Sequence, residues 1–293
     1  MTRSYPDLTD GSTFHFITDL HLGDTFFSPQ WMDRITDDLK HLRSSHVAHI
    51  LGGDQVDNNR SDQYALYKAM RSTIKDTDGL PWLEVPGNHD MGAPVGHAGD
   101  VVQSKEDWAD LMGLADANQT LDAGGMRFIG LAPDYWHWMD QCVLSPETLN
   151  YLDWALTTAE GAPCWIVTHG PPNGQYIGYS NYAIPSPTAD LESIVSGHNN
   201  VAGWLSGHRH MEPGAPESAR VMPIGGKQIF AINGPTAGGI GNDPARPNGD
   251  ASPWASLSYS LLITYLGNRC VIRFRDHRSY GWARDPIILT REG

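Results

Sequence analysis

The sequence predicts a layered α/β fold with one or more mixed β-sheets. Through the first two-thirds of the chain, short apolar runs typical of buried strands alternate with segments whose apolar residues recur at helical spacing. In the last third, three strand-like runs follow one another with no predicted helix between them. Alternating strands and helices followed by antiparallel strands favour helices packed on mixed sheets.

The first part of the chain predicts three strands and two helices. The strands are the apolar runs Phe14–Ile17, Val47–Leu51 and Trp82–Val85. Ser28 and Pro29 are residue types preferred at a helix N-cap and first turn, and apolar residues at helical spacing continue this helix to Leu42. Ser61 is the expected N-cap of the second helix, which continues to Ile74.

Later segments predict three more helices and six more strands. The helices are expected over 107–114, from Ser145 and Pro146 to Leu156, and over 191–195. The strands are expected at Met126–Leu131, Cys164–Val167, Val201–Leu205, Ile229–Ile232, Ser258–Tyr265 and Cys270–Phe274. Gly267 and Asn268 are expected to form the turn of a hairpin. The Gly/Pro/Asn/Asp-rich stretch 234–255 is expected to be a functional surface loop, because strands flank it.

Composition limits the class of protein. The 293 residues, of which 40% are hydrophobic, predict one large domain over 1–293. The net charge of −14 argues against broad binding to long nucleic acids, which needs a basic surface. Cys142, Cys164 and Cys270 are too dispersed for a disulfide framework or a thiolate zinc site. Because no apolar stretch resembles a membrane span or a signal peptide, a cytoplasmic protein is expected.

Five clusters of polar residues stand at the ends of predicted strands. They are Asp19-Leu20-His21, Gly53-Asp54-Gln55-Val56-Asp57, Gly87-Asn88-His89-Asp90, Thr168-His169-Gly170-Pro171 and Gly207-His208-Arg209-His210. Ligands bind at the carboxyl ends of strands in α/β proteins, so these clusters are expected to converge. Each residue alone has an ordinary explanation as a cap, a turn or a buried histidine, but five clusters together favour a shared site.

The residue types and spacings in the clusters indicate metal binding. Side chains at positions i and i+2 of an extended segment point to the same side, so Asp19 and His21 can both bind one ion. His208 and His210 have the same spacing. Carboxylates and imidazoles bind first-row divalent metals, and eight ligand-type residues are enough for two ions. Glycines beside the clusters allow the backbone to approach the ions closely.

The ordered clusters resemble the signature of the calcineurin-like metallophosphoesterase family, which runs DxH, GDxxD, GNHD, H and GHxH. The chain contains every element in that order from Asp19 to His210, about two-thirds of its length. The resemblance implies a four-layer α/β/β/α sandwich of two mixed sheets flanked by helices. It also implies a motif-bearing part over 12–212 and C-terminal strands over 220–276 that complete the second sheet.

The resemblance further implies a centre of two divalent or di-/trivalent metal ions, with Mn, Fe and Zn as the candidates. The implied ligands are Asp19, His21, Asp54 and His210 for one ion, and Asp54, Asn88, His169 and His208 for the other, with Asp54 as the bridge. A hydroxide bridging the ions would attack the phosphate in line. His89 would face the substrate and protonate the departing alkoxide or stabilise the developing charge.

Further residues are candidates for supporting roles. Asp57 and Asp90 are expected to orient ligands such as His21 or His89. The candidates for a substrate pocket are Arg60, Tyr135, Trp136, His137 and Tyr176. The aromatic run from Tyr135 to His137 is equally consistent with a cover over the edge of the core.

The expected activity is hydrolysis of small phosphodiesters. The candidate pocket loops 91–104, 133–145 and 170–190 contain several Trp and Tyr residues but no Lys or Arg. Aromatic faces suit an organic ester arm, and few cations suit a singly charged phosphate. A phosphomonoesterase is the alternative, with Arg60 supplying the missing charge. A non-catalytic scaffold fits less well because all the motifs are present. A small phosphate ester is the expected partner, rather than a membrane or a long nucleic acid.

Overall fold

The computed structural model describes residues 11–23, 29–42, 45–91, 104–137, 141–175, 184–238 and 258–292. Within these ranges the chain forms five α-helices and sixteen β-strands. None of these described helices is both long and apolar enough to cross a lipid bilayer. The expected N-cap Ser28 lies outside the described residues, as does most of the loop predicted over 234–255.

The helices and strands alternate through most of the chain, as the apolar pattern predicts. The helices are α1 (Pro29–Leu42), α2 (Ser61–Asp78), α3 (Lys105–Met112), α4 (Pro146–Thr157) and α5 (Thr188–Gly197). The strands are β1 (Ser12–Ile17), β2 (His49–Leu51), β3 (Trp82–Glu84), β4 (Gln119–Ala123), β5 (Met126–Gly130), β6 (Tyr135–His137), β7 (Gln141–Val143), β8 (Cys164–Val167), β9 (Ile184–Ser186), β10 (Val201–Ser206), β11 (Ala219–Ile224), β12 (Lys227–Asn233), β13 (Tyr259–Tyr265), β14 (Arg269–Asp276), β15 (Gly281–Trp282) and β16 (Ile287–Thr290).

Most strands belong to two large sheets of mixed direction. The seven-stranded sheet has the order β15-β14-β13-β1-β2-β3, and β16 also pairs with β14. The six-stranded sheet has the order β11-β12-β10-β8-β5-β4. Strands β1 to β3 run parallel to one another, as do β12, β10, β8 and β5, and the remaining pairs in these two sheets are antiparallel. A small third sheet joins β6, β7 and β9.

The two large sheets pack face to face, and helices cover their outer faces. Successive strand residues point to opposite sides, so Phe14 and Phe16 lie between the sheets while Ile17 faces the helices. Trp165 and Phe230 contribute from the second sheet to the same central core. Helices α1 to α3 cover the seven-stranded sheet, and α4 and α5 cover the six-stranded sheet. This arrangement confirms the four-layer α/β/β/α sandwich.

The C-terminal strands divide between the two sheets, which corrects the prediction that strands over 220–276 complete one second sheet. Strands β11 and β12 extend the six-stranded sheet, whereas β13 pairs with β1 and carries β14 into the seven-stranded sheet. An apolar alternation shows which side chains are buried, but several strands share it, so it does not identify the neighbour of each strand. A single domain over 1–293 stays a prediction.

Two predicted boundaries are confirmed and one is corrected. The Ser145 hydroxyl accepts a hydrogen bond from the Thr148 amide at the start of α4. Gly267 has a φ of 76° in the turn that joins the antiparallel strands β13 and β14. Ser61 is the first residue of α2 rather than its N-cap. Arg60 takes the cap position because its backbone is still extended, with a φ of −107° and a ψ of 145°.

A buried ion cluster fixes helix α1 to the seven-stranded sheet. The fully buried carboxylate of Asp38 accepts hydrogen bonds from Arg275 Nε and His277 Nδ1, each at 2.8 Å. Burial alone would raise the pKa of Asp38, but the hydrogen bonds from Arg275 and His277 outweigh it and lower that pKa. Asp38 is therefore charged at neutral pH, and its loss would leave a buried guanidinium without its counter-ion.

We expect Asp38→Ala to lower the free energy of unfolding by about 3–5 kcal/mol at pH 7, the cost of removing one partner of a buried ion pair. Because the folded-state pKa lies below the unfolded value of about 3.9, this stabilisation is complete above that pH. It is lost as the pH falls through the folded-state pKa. Urea unfolding of variant and wild type at pH 7 and in acid will show the difference shrinking.

The matched control for Asp38 is its neighbour Asp37, which is more than half exposed and pairs with Lys40 at the surface. Exposed ion pairs contribute little to stability, so Asp37→Ala should unfold close to wild type. Equal stability of the Asp37 and Asp38 variants at pH 7 would contradict the prediction.

Candidate metal centre

The five polar clusters converge at one end of the sandwich. They follow β1, β2 and β3 of the seven-stranded sheet and β8 and β10 of the six-stranded sheet, at the carboxyl ends of parallel strands. His169 comes from one sheet and Asp54 from the other, and His169 Nε2 lies 3.0 Å from Asp54 Oδ2. The clusters from both sheets therefore form one site.

The first group of potential ligands comprises Asp19, His21, Asp54 and His210. Asp19 Oδ1 lies 2.8 Å from His210 Nε2, and His21 Nε2 lies 3.2 Å from the same nitrogen. His21 Nε2 is also 3.6 Å from Asp54 Oδ2. His210 is the partly exposed member, and the other three are buried. Carboxylate and imidazole atoms at these separations can bind a common ion.

The second group comprises Asp54, His169 and His208. Asn88 adjoins it, because its Oδ1 atom lies 2.9 Å from His208 Nδ1. Asp54 belongs to both groups, since its Oδ2 atom faces His169 of the second group as well as His21 of the first. The structure thus places the Asp54 carboxylate between two sets of donors.

The backbone of the centre is left-handed at several ligand positions. Positive φ angles occur at Asp19 (56°), His21 (46°), Asp54 (50°), His208 (72°) and His210 (46°). Asp and His adopt this region more often than most other residues with a β-carbon. The argument from i and i+2 positions of an extended segment is therefore wrong in its geometry. The side chains converge because the chain turns sharply where each strand ends.

Glycines beside the clusters make room for the ligands. A β-carbon on Gly53 would lie 2.5 Å from His169 Nδ1, and one on Gly207 would lie 2.6 Å from Asp19 Oδ2. A β-carbon on Gly87 would overlap the Asp54 carboxylate. A side chain at any of these three positions would occupy the space that the ligand side chains take. This explains why a glycine precedes Asp54, Asn88 and His208 in the motifs.

Hydrogen bonds around the centre turn ring nitrogens toward it. His169 Nδ1 lies 2.7 Å from Gly52 O, and a carbonyl can only accept, so Nδ1 carries a hydrogen. The His169 Nε2 atom is buried and faces the centre, 3.0 Å from Asp54 Oδ2. Metal-bound histidines show this pattern, with the outer nitrogen donating to a carbonyl. The donor set therefore fits a pair of metal ions.

The charges in the centre are strongly coupled. Burial opposes protonation of His21 and His169, but the carboxylates of Asp57 and Asp54 outweigh it and raise both pKa values to about 9. Burial likewise opposes ionisation of Asp54, yet His169 and His89 hold its pKa well below the usual range. Protons therefore compete with metal ions for the histidine nitrogens, and ion binding releases them.

Asp57 contacts the two histidines that it is expected to orient. Its Oδ1 atom lies 3.2 Å from His21 Nδ1 and 3.6 Å from His89 Nδ1. An outer carboxylate of this kind fixes the ring orientation and tautomer of a ligand histidine.

Asp90 differs from the expectation, because it accepts hydrogen bonds from the backbone rather than from a histidine. Its carboxylate receives the amides of Gln55, Val56 and Gly87 at 3.2, 3.0 and 2.8 Å. Burial and the charge of Asp54 raise the pKa of Asp90. Asp90 therefore ties the loop after Asp54 to the turn that carries Asn88.

His89 contacts both Asp54 and Asp57. Its backbone amide donates to Asp54 Oδ1 at 2.9 Å, and its Nδ1 atom lies 2.7 Å from the Asp57 carbonyl. The ring meets His21 edge-on, with 4.6 Å between centroids. A quarter of the side chain is exposed, so a substrate can reach it. Burial lowers the pKa of His89 against the opposing charge of Asp54.

Two of the predicted pocket residues are exposed. The Arg60 guanidinium donates two hydrogen bonds to the Asp62 carboxylate, at 3.0 and 2.9 Å, and is half exposed. Arg60 is therefore engaged at the start of its own helix. Tyr135 is exposed on the small third sheet. His137 is the last residue of β6, and Tyr176 lies outside the described residues.

Trp136 packs against the candidate ligands themselves. Its buried ring stacks on His208 with centroids 5.8 Å apart and meets His169 edge-on at 5.7 Å. Met91 and Cys142 complete this small apolar cluster. The sequence suggested either a pocket wall or a cover for the core, and the observed contact is with the second ligand group.

Sequence reasoning missed two residues that support the centre. Thr18 Oγ1 donates to Asp19 Oδ2 at 2.7 Å, and the Gly52 carbonyl holds His169. Neither residue type is distinctive, and direct adjacency to a motif is the available signal in the sequence.

Comparisons with known proteins bear on the family and the fold. The family profile described as calcineurin-like phosphoesterase matches residues 12–212. A dimetal phosphatase from Danio rerio is 14% identical with a TM-score of 0.64, covering 96% of this chain and 99% of that chain. A purple acid phosphatase from yellow lupin (Lupinus luteus) seeds is 14% identical with a TM-score of 0.60, covering 98% of this chain and 55% of that chain. The Plasmodium inner membrane complex anchor GAP50 is 10% identical with a TM-score of 0.56, covering 97% and 90%.

A search of curated protein sequences found no match. At identities this low the solved structures show a shared fold and no more. The family profile goes further, because it covers more than half of the chain and includes all five clusters that meet at the centre. This protein therefore belongs to the calcineurin-like phosphoesterase family and is a metal-dependent hydrolase of phosphoric ester bonds.

Proposed function

We propose that this protein hydrolyses small phosphodiesters with two metal ions at the candidate centre. The ligands would be Asp19, His21, Asp54 and His210 for one ion, and Asp54, Asn88, His169 and His208 for the other. The position of Asp54 Oδ2 supports two ions rather than one, because it lies 3.6 and 3.0 Å from histidine nitrogens of the two groups. When bound, the ions would supply positive charge for the phosphate oxygens and lower the pKa of the attacking water.

His89 would donate a proton to the leaving group beside the metal centre. The Asp57 carbonyl accepts the hydrogen of His89 Nδ1, so a proton delivered to a leaving group must come from Nε2. Because burial lowers the pKa of His89, the neutral ring predominates in the protein alone. A bound anionic phosphate would favour the imidazolium, which could then protonate the departing alkoxide.

The scarcity of cationic side chains supports a diester as the substrate. Within the stretches 19–21, 53–60, 87–91, 168–175 and 207–210, which carry the motifs, the lysine or arginine residues are Arg60 and Arg209. Arg60 already binds Asp62. Arg209 lies between two candidate ligands, and its amide donates to the Gly207 carbonyl. A monoester near neutral pH carries close to two charges, so its recognition favours additional guanidinium or ammonium groups.

We expect a higher kcat/KM for bis(p-nitrophenyl) phosphate than for p-nitrophenyl phosphate in the manganese-loaded enzyme. Arg60→Ala should leave the ratio of the two values unchanged, because the guanidinium is engaged with Asp62. Steady-state kinetics with both chromogenic esters tests this. A preference for the monoester would contradict the diester proposal. Loss of that preference in Arg60→Ala or Arg209→Ala would identify the cation that binds the second charge and assign the enzyme to the phosphatases.

A further inference from the structure

A second cluster of histidines lies between the seven-stranded sheet and its covering helices. His15 on β1 and His49 on β2 are fully buried, and His46 just before β2 is 7% exposed. Apart from the ion cluster of Asp38, Arg275 and His277, the surrounding layer is an apolar core of helices α1 and α2 against the sheet. Buried polar groups in such a layer need partners, so the cluster calls for a specific explanation.

Hydrogen bonds at the outside of this cluster fix two of the ring tautomers. His46 Nδ1 lies 3.1 Å from the Leu42 carbonyl, which can only accept, so this nitrogen carries the hydrogen. His49 Nε2 lies 2.7 Å from the Asp78 carboxylate and carries a hydrogen for the same reason. In the neutral rings, lone pairs are left on His49 Nδ1 and on His46 Nε2, which lies 3.2 Å from His49 Nε2.

His15 completes a converging set of nitrogens. Its Nε2 atom lies 2.8 Å from Ser260 Oγ, and its Nδ1 atom lies 2.9 Å from His49 Nδ1. One donor atom from each of the three histidines lies within 4.8 Å of the others. Burial holds the pKa values of His15 and His46 below the usual histidine range, so these rings are neutral and can donate lone pairs.

We propose that His15, His46 and His49 form a separate, structural site for one zinc-class divalent ion, with Asp78 at its edge. Imidazole nitrogens suit Zn²⁺, and the burial of His15, His46 and His49 closes the site to a substrate. The Leu42 carbonyl, Ser260 and Asp78 hold the outer nitrogens, as the partners of metal-bound histidines do. This inference does not depend on the proposed phosphodiesterase activity.

The position of the site gives it a role in the fold. His15 and His49 are directly opposite each other in the parallel pair β1 and β2. The same two strands lead to Asp19 and Asp54, the carboxylates of the metal centre, whose loops are joined by the hydrogen bond from the Asp19 amide to the Gly53 carbonyl. An ion at the histidine cluster would fix the relative position of the strands that carry both carboxylates.

A purely hydrogen-bonded network is the competing explanation. His15 Nδ1 would then donate to His49 Nδ1, and the Ser260 hydroxyl would donate to His15 Nε2. The hydrogen on His49 Nε2 would be shared between Asp78 and His46 Nε2. The two explanations differ in two measurable ways. A metal site binds one ion that depends on the histidines, whereas a network binds none and depends on the Ser260 hydroxyl.

The test uses the full-length chain with Asp19→Asn and Asp54→Asn, which disable the catalytic centre. Equilibrium dialysis against Zn²⁺ is compared in this background with and without His46→Gln, and separately with His49→Gln. We expect each histidine substitution to remove one bound Zn²⁺ per chain and to abolish a Zn²⁺-dependent rise in Tm. His41→Gln, on the exposed face of α1, is the matched control and should retain the ion. Circular dichroism establishes that each variant is folded.

Equal Zn²⁺ stoichiometry in the background, His46 and His49 proteins would overturn the proposal. Ser260→Ala keeps the test decisive if a histidine variant fails to fold, because it leaves all three candidate ligand histidines in place. Retained Zn²⁺ binding in Ser260→Ala supports the metal site. A marked loss of Tm in that variant, with no response to Zn²⁺ in the background protein, would establish the hydrogen-bonded network instead. Neither result depends on whether the catalytic centre hydrolyses phosphodiesters, so the two proposals can fail independently.

Discussion

Asp54→Asn is expected to release both metal ions from the catalytic centre and to abolish hydrolysis. The carboxylate faces histidines of both ligand groups, so removing its charge weakens the two ion sites together. Asparagine retains an oxygen that can accept the amide of His89, which limits disturbance of the local fold. Elemental analysis of the purified variant, combined with assays on a chromogenic diester, measures both effects.

Two further variants test whether the loss of both metal ions is specific to Asp54. Asp19→Asn should weaken mainly one ion, because Asp19 Oδ1 lies close to His210 of the first group and 4.0 Å from His169 of the second. Asp62→Asn changes an exposed carboxylate and should retain both ions. Two ions per chain in the Asp54 variant would contradict the assignment of Asp54 as the bridge.

His89→Ala is expected to retain both ions and to lose rate on the order of 10²–10⁴-fold, the usual contribution of a general acid. The loss should be greatest for esters with poor leaving groups, since an alkoxide needs a proton and nitrophenolate hardly does. Rate measurements on a series of diesters with leaving groups of increasing pKa, together with metal analysis of the same samples, test this expectation.

His198→Ala is the matched control for His89, because His198 is a partly buried histidine that lies outside the five clusters and pairs with Asp153. It should keep the wild-type rate with every ester. A uniform loss across good and poor leaving groups in His89→Ala would argue against proton delivery. Loss of metal in that variant would instead place His89 among the ligands.

Much of the fold followed from apolar periodicity. The run from Cys164 to Val167 was predicted with the bounds that β8 has, because four buried apolar residues are followed directly by polar ones. The edge strand β4 was not predicted. Gln119–Ala123 is a half-exposed strand with mostly polar or small residues, so its pairing depends on the neighbouring β5 rather than on its own composition.

The members of the candidate site could be predicted from the sequence better than their contacts. Ordered motifs identify residues that meet, because the carboxyl ends of parallel strands share an edge. They do not determine where a long side chain goes. The position of Arg60 shortly after Asp57 predicts that its side chain enters the pocket. Its guanidinium instead pairs with Asp62 in the first turn of helix α2. Asp90 likewise accepts backbone amides, which carry no sequence signal.

The left-handed backbone at five of the candidate ligands costs on the order of 1 kcal/mol at each residue that is not glycine. Bound ions offset this cost, because a ligand that binds only the folded chain stabilises it. A descendant that replaced Asp19 or His208 by glycine would lose an ion and its activity, but it would also relax a strained turn. The strain at these turns is therefore a cost of the catalytic centre, and the chain without ions carries it without compensation.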